Sequence, residues 1–352
     1  MTAVLAPPTV HEAVADTLES RIRCDPNAFR VLSGDRPTGP LHLGHYLGTL
    51  ANRVRLQDLG VPVTVVIADY QVITDRSDPG PLRDRVRTLV AEYLAAGLDP
   101  DRTVIFPHSA VPGLNQLMLP FLSLVTDAEL RRNPTVKAEA LAARRPLSGL
   151  LLTYPVHQAA DILGVDGTVV PVGRDQLPHL ELTRLIARRF NDRYGQVFIL
   201  PEPLLTGAPN LLGTDGAKMS KTRGNTIALG DTADRTAAII HAAQTDSTRR
   251  ITFEPSSRPQ VANLLAIIGE LTGRHPGAVA EEIGDAGAAE LKQRATEAVN
   301  QALAPLRRRR AELLADPGHL DGVLLDGTAR ATGIAGETLA RVRTAMGMNY
   351  LG

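Results

Sequence analysis

The chain has 352 residues, 38 Lys+Arg against 38 Asp+Glu, and one cysteine, Cys24. That length can bury a substantial core and accommodates about two domains. Zero net charge leaves any nucleic-acid or anion site to local clustering, and one cysteine excludes a disulfide framework or a cysteine-based zinc knuckle. No apolar run approaches the roughly eighteen residues of a membrane span, and no basic leader precedes an apolar stretch. A soluble, cytoplasmic protein without membrane contact is expected.

Residues 1–28 carry prolines and a mostly polar stretch with a helix expected over 11–21, and read as an N-terminal extension. The periodic part begins at Phe29. VLSG (31–34) reads as a strand, and a helical pattern follows over 43–56. VTVVIAD (63–69) is a continuous β-branched run, as in a parallel strand buried on both faces. An amphipathic helix over 81–96 leads to the strand TVIF (103–106). Strand and helix alternate, which argues for an α/β fold with a parallel sheet. Residues 113–143 read as inserted helical material. Next come a helix over 154–163, the strand VVPV (169–172), a helix over 175–189 and a strand VFIL (197–200). A glycine- and lysine-bearing loop, 206–226, ends this half. Beyond Thr232 only helices are expected, over 233–244, 260–272, 288–314 and 332–346, so the domain boundary is placed near residue 230.

Four stretches carry chemistry. PTGPLHLGHYLG (37–48) follows the first strand and opens the first helix, where ligands bind in open α/β sheets. Its glycines, Gly39 and Gly44, permit close approach. His42 and His45 share a face of the first turn, suited to developing charge on a phosphoryl oxygen. Metal ligation lacks a nearby cysteine or an obvious third ligand; a glycine turn with capping histidines is the plainer alternative. GTDGAKMSKTRGNTI (213–227) places Lys218 and Lys221 in a polar loop, where flexible ammonium groups can follow phosphates, with Met219 as an apolar latch. A solvated charge run is its bland alternative. No Walker A pattern occurs, which excludes an ordinary P-loop NTPase. PVGRDQLPHLELTR (171–184) puts Asp175 and Gln176 after a strand and Gly173, as a ribose-binding carboxylate or a helix cap. In LLTYPVHQAADILG (151–164), Tyr154, Gln158 and Asp161 stand at helical spacings of four and three. Asp161 among apolar neighbours suits ligand recognition or, equally, a helix surface.

His42-Leu43-Gly44-His45 together with Lys218-Met219-Ser220-Lys221-Thr222 resembles the two signatures of class I aminoacyl-tRNA synthetases. From Phe29 on, the blocks SGDRPTGPLHLGHYLG, IADYQVITD, LLTYPVHQAADIL, PVGRDQLPHLELTR and KMSKTRGNTI are similar to those of the tryptophanyl-tRNA synthetases. The resemblance implies a Rossmann-like catalytic domain over 29–230, with a helical insertion near 113–165 contributing to a homodimer interface. It also implies a helical anticodon-binding domain over 231–331 and a C-terminal helix, 332–352, packing back on the catalytic domain. The implied reaction activates tryptophan with ATP, whose phosphates carry Mg²⁺, and transfers it to tRNA; no protein-bound metal is implied. By resemblance, His42, His45, Lys218 and Lys221 are catalytic. ATP would be held by Arg36, Pro37, Thr38, Gly44, His45, Gly173, Asp175, Lys218, Met219, Ser220 and Lys221. Tryptophan would be held by Leu32, Tyr154, Gln158, Asp161, Val172 and Gln176, with Asp161 accepting the indole N–H. Arg131, Arg132, Lys137, Arg307 and Arg308 would touch tRNA, although Arg307–Arg310 also fits a solvated helix face.

Three positions depart from the family pattern. His45 stands where this family often has asparagine, Gln158 where methionine is common, and Thr222 where the loop ends in serine. Gln158 bears on pocket polarity, so a specialised, inhibitor-tolerant paralogue is the alternative, together with tyrosine activation as in the sister enzyme.

Overall fold

The structure is a computed structural model that describes residues 17–74, 78–143, 147–205, 211–216, 219 and 225–350. Its sheet contains β1 (Val31–Asp35), β2 (Val63–Ile67), β3 (Thr103–Pro107), β4 (Val169–Val172) and β5 (Glu202–Leu205). The order is β3-β2-β1-β4-β5 and every pairing is parallel. All five residues of β2 are buried, as a β-branched run covered on both faces must be. The chain builds outward from β1 to β3, then returns to lay β4 on the other side of β1. That reversal opens a crevice at the carboxyl ends of β1 and β4.

Most expected elements appear close to their predicted positions, and the differences are informative. The helical pattern over 43–56 divides into a short helix Leu43–His45, a widened turn Tyr46–Leu50 and a helix Ala51–Asp58. VFIL (197–200) is not a strand; the fifth strand is Glu202–Leu205. Asn191 accounts for this. Its side-chain oxygen accepts the N–H groups of Val197 and Phe198, each at 3.0 Å, and its amide donates to the Phe198 carbonyl at 2.7 Å. Those backbone groups are therefore satisfied without a ladder, and Phe198 packs against Phe121 and Phe190. Of the helix expected over 11–21, residues 11–16 lie outside the described residues, and a helix occupies Leu18–Cys24.

The helical region is joined tightly to the sheet. One buried cluster runs from Val63, Val65 and Ile67 through Leu89 and Val90 to Leu303 and Leu306 of the helix Ala288–Ala315. The last helix, Pro317–Ala345, starts at Asp316, whose carboxylate accepts the His319 N–H at 3.0 Å. The last helix thus begins at Pro317 rather than at the expected residue 332. This last helix lies against β3 through Gly327, where a Cβ would stand 2.0 Å from the Ile105 carbonyl oxygen. Arg330 donates to the carbonyls of Pro100 at 2.6 Å and Thr103 at 2.7 Å.

Two buried charged groups tie these layers to the crevice. Glu92, on the helix Leu82–Ala96, is fully buried. One of its oxygens accepts the Leu41 N–H at 2.7 Å; the other faces Arg310 Nε at 3.1 Å. Arg53 is also buried and donates to Ser33 Oγ at 2.8 Å and Asp35 Oδ2 at 2.6 Å, while Tyr93 donates to the same Asp35 oxygen at 2.8 Å. Burial pushes the Asp35 carboxyl up, but the charge and hydrogen bonds of Arg53, with His45 and Tyr93 adding to them, hold it at about 2.

Removing one partner of a buried pair strands the other. Glu92→Ala is therefore expected to lower stability by about 3 kcal/mol in urea unfolding; a variant as stable as the parent would refute the coupling. The Asp35 carboxyl lies below its ordinary 3.8. Its roughly 2 kcal/mol contribution is thus complete above that value and lost as pH falls through about 2. Asp35→Asn should flatten the acid limb of stability between those two values, read by urea unfolding across that range; an unaltered slope would contradict it.

Candidate active site

The crevice is a cleft of about 730 Å³ lined from β1, the first helical turn, β4, the turn Arg174–Gln176 and the helix Gly149–Gly164. His42 and His45 both line it, with ring centroids 3.7 Å apart. His45 Nδ1 accepts the His42 backbone N–H at 3.3 Å, which places the imidazole proton on Nε2 and makes that atom the ring's donor. Not every amide of this turn faces the cleft: the Leu43 N–H is taken by the Ile227 carbonyl at 2.9 Å.

That bond belongs to a larger junction. Leu229 N–H donates to the Leu41 carbonyl at 2.9 Å, and His42 pairs with Ala228 in an antiparallel bridge. The segment following the lysine loop is thereby sewn onto the histidine turn. Met219 lines the cleft and packs against the core. A Cβ at position 44 would stand 3.0 Å from the Met219 sulfur and 3.1 Å from His42 Nδ1, so the close approach depends on Gly44. Lys218, Ser220 and Lys221 lie outside the described residues.

The opposite wall comes from the helix Gly149–Gly164. Its spacing brings Tyr154, Gln158 and Asp161 to the cleft, where Leu32, Val172, Gly173, Asp175 and Gln176 also lie. Tyr154 is oriented from behind. Asn133 lies 3.4 Å from His179 Nδ1, and since its own oxygen accepts the Thr135 N–H, its amide nitrogen faces the ring. His179 Nε2–H then donates to the Tyr154 hydroxyl at 3.1 Å. Burial holds His179 neutral, at about 4, and raises the Tyr154 phenol, with the Glu139 carboxylate adding to that rise. Asp175 lies within the turn before the helix Leu177–Tyr194, whose cap residue is Gln176, so its position is not that of a helix cap.

Arg36 is exposed at the rim and lines the cleft, whereas Pro37 is buried and Thr38 half-buried in the turn beside it. The basic residues expected at tRNA lie away from the cleft lining. Arg131 pairs with Asp127 at 2.8 Å, Arg132 bonds the Ala128 carbonyl at 3.1 Å, and Lys137 and Arg308 are exposed. Arg307 turns inward, donating to Asn300 Oδ1 and Thr236 Oγ1, each at 2.8 Å.

Several cleft-side residues escape sequence reasoning. Gln71 and Glu139 line the cleft. Gln71 falls inside the block IADYQVITD, which marked the region but not the residue. Behind Asp161, His108 Nδ1 stands 2.9 Å from Asp161 Oδ1, and the His108 and His157 ring centroids are 3.8 Å apart. Only His157 had a local signal, because it shares a motif with Asp161.

The sequence profile described as "tRNA synthetases class I (W and Y)" matches residues 25–304. A tryptophan–tRNA ligase of Treponema pallidum (strain Nichols) is 42% identical over 333 residues, covering 91% of this chain and 97% of that protein. Among solved structures, a tryptophanyl-tRNA synthetase from Campylobacter jejuni, complexed with ADP and tryptophan, is 31% identical. It has a TM-score of 0.78, with 91% of this chain and 100% of that one covered. The Mycoplasma pneumoniae tryptophanyl-tRNA synthetase gives a TM-score of 0.79 at 29% identity, over 91% of this chain and 97% of that one. With its profile match, its relatives and its parallel α/β crevice in agreement, the chain belongs to the class I tRNA synthetases for tryptophan and tyrosine, on the tryptophanyl branch.

Proposed function

We infer that this chain activates L-tryptophan with ATP and transfers it to tRNA(Trp). The observation that carries this reading is one cleft with His42 and His45 on one wall and Tyr154, Gln158 and Asp161 on the other. A tryptophan carboxylate oxygen attacks the α-phosphorus of ATP, the bond to the bridging oxygen breaks, and diphosphate leaves with its Mg²⁺. A 3′-terminal ribose hydroxyl of tRNA then attacks the acyl carbon, and AMP departs with the mixed-anhydride electrons.

His45, with its donor on Nε2, and His42 stabilise charge growing on the phosphoryl oxygens. Lys218 and Lys221 hold the β- and γ-phosphates as point charges. Asp175 accepts a ribose hydroxyl, with Arg36 at the rim near the phosphates. Tyr154 and Gln176 meet the α-amino group, Leu32 and Val172 flank the ring, Gln158 sets wall polarity, and Asp161 accepts the indole N–H. The helical region beyond residue 230 carries the tRNA contacts, Arg308 being exposed for that role and Arg131, Arg132 and Lys137 presenting a second basic surface. The active unit is a homodimer in the cytoplasm, with the helices near 113–165 at its interface.

Labelled pyrophosphate should exchange into ATP in the presence of tryptophan and not of tyrosine; no exchange with either amino acid would remove the reading. Asp161→Ala should lower kcat/KM for tryptophan roughly 10- to 100-fold, the worth of a charge-assisted hydrogen bond. An unchanged constant would dismiss the role given to Asp161.

A further inference from the structure

Behind the cleft, the carboxyl ends of two strands converge on the helix that carries Asp161. His108 begins the turn after β3, and Asp69 follows β2. Asp69 anchors the His108 turn: Oδ1 accepts the Ser109 N–H at 3.0 Å and Oδ2 accepts the Ser109 hydroxyl. His108 is fully buried, and its Nδ1 stands 2.9 Å from Asp161 Oδ1 with no aligned hydrogen bond between them. That oxygen is itself buried, although Asp161 lines the cleft.

His157 is a neutral ring. Its Nε2 lies 2.7 Å from Asn115 Oδ1 and its Nδ1 3.4 Å from the Gln71 amide nitrogen, so one nitrogen donates and the other accepts, as only a neutral imidazole can. Burial and the adjacent His108 push His157 down to about 4. For His108, burial works in the same direction, but the Asp161 charge, with help from Asp69, outweighs it and raises the imidazole.

We propose that His108 is a specificity-determining positioning residue, which pins one Asp161 oxygen behind the wall and holds the carboxylate toward the cleft. This rests on the reading of Asp161 as the acceptor for the indole N–H. A site built around that hydrogen bond rejects an isostere lacking the donor, because the buried carboxylate would be left unpaired. His108 therefore acts on the choice of ligand rather than on the phosphoryl step.

The test compares kcat/KM for tryptophan with that for β-(benzothiophen-3-yl)alanine, in which sulfur replaces the indole N–H. It uses pyrophosphate exchange by the full-length protein, His108→Gln, Asp161→Asn and the double variant. His108→Gln should lower the preference for tryptophan about tenfold or more, through KM with little change in kcat. It should add nothing further in the Asp161→Asn background. If Asp161→Asn abolishes the preference and His108→Gln leaves it intact, the role of His108 is overturned while that of Asp161 stands. If Asp161→Asn itself leaves the preference intact, the underlying reading falls and this inference falls with it. His108→Asn replaces His108→Gln if circular dichroism shows the latter unfolded.

Discussion

The backbone pairing of residues 41–43 with 227–229 is the constraint on which this molecule's site depends. It holds the histidine turn against the segment that follows the lysine loop, across more than 180 residues of intervening chain. Glu92 buttresses it by accepting the Leu41 N–H while facing Arg310 of the helical region. A buried carboxylate is costly unless both oxygens are satisfied. Here one partner belongs to the signature turn and the other to a helix far along the chain. The position of His42 is thus coupled to the docking of the helical layer through Glu92.

A similar economy governs the walls of the cleft. Asp35, Arg53 and Tyr93 form a closed hydrogen-bonded set beneath β1, so the residues leading into the histidine turn rest on a charge-neutral support. On the opposite wall, neutral His179 donates to the Tyr154 hydroxyl, and buried His108 stands 2.9 Å from the Asp161 carboxylate. Asp35, Tyr154 and Asp161 each have a buried imidazole or guanidinium behind them. Such support fixes rotamers before a ligand arrives, and preorganisation of this kind lets polar groups discriminate.

The places where sequence reasoning failed are those where a side chain from a neighbouring element competes for a local pattern. VFIL has strand composition, but Asn191 takes its backbone hydrogen bonds. Arg307 and Arg310 look like a solvated basic run, yet each meets a buried polar partner from another helix. The helix expected to start near residue 332 starts at Pro317, because Asp316 caps it and Gly327 lets it approach β3.

The sequence alone determined the alternating α/β order, the position of the crevice and the residues of its motifs. Those features follow from short-range periodicity: β-branched runs buried on both faces, and spacings of three and four that align Tyr154, Gln158 and Asp161. Only the tertiary structure decided how the histidine turn meets the segment after the lysine loop, which arginines face inward, and that His108 stands behind Asp161. His108 and Asp161 are separated by 53 positions and share no motif. Their 2.9 Å contact arises because adjacent β-strand ends and one crossing helix converge in space, which no local pattern encodes.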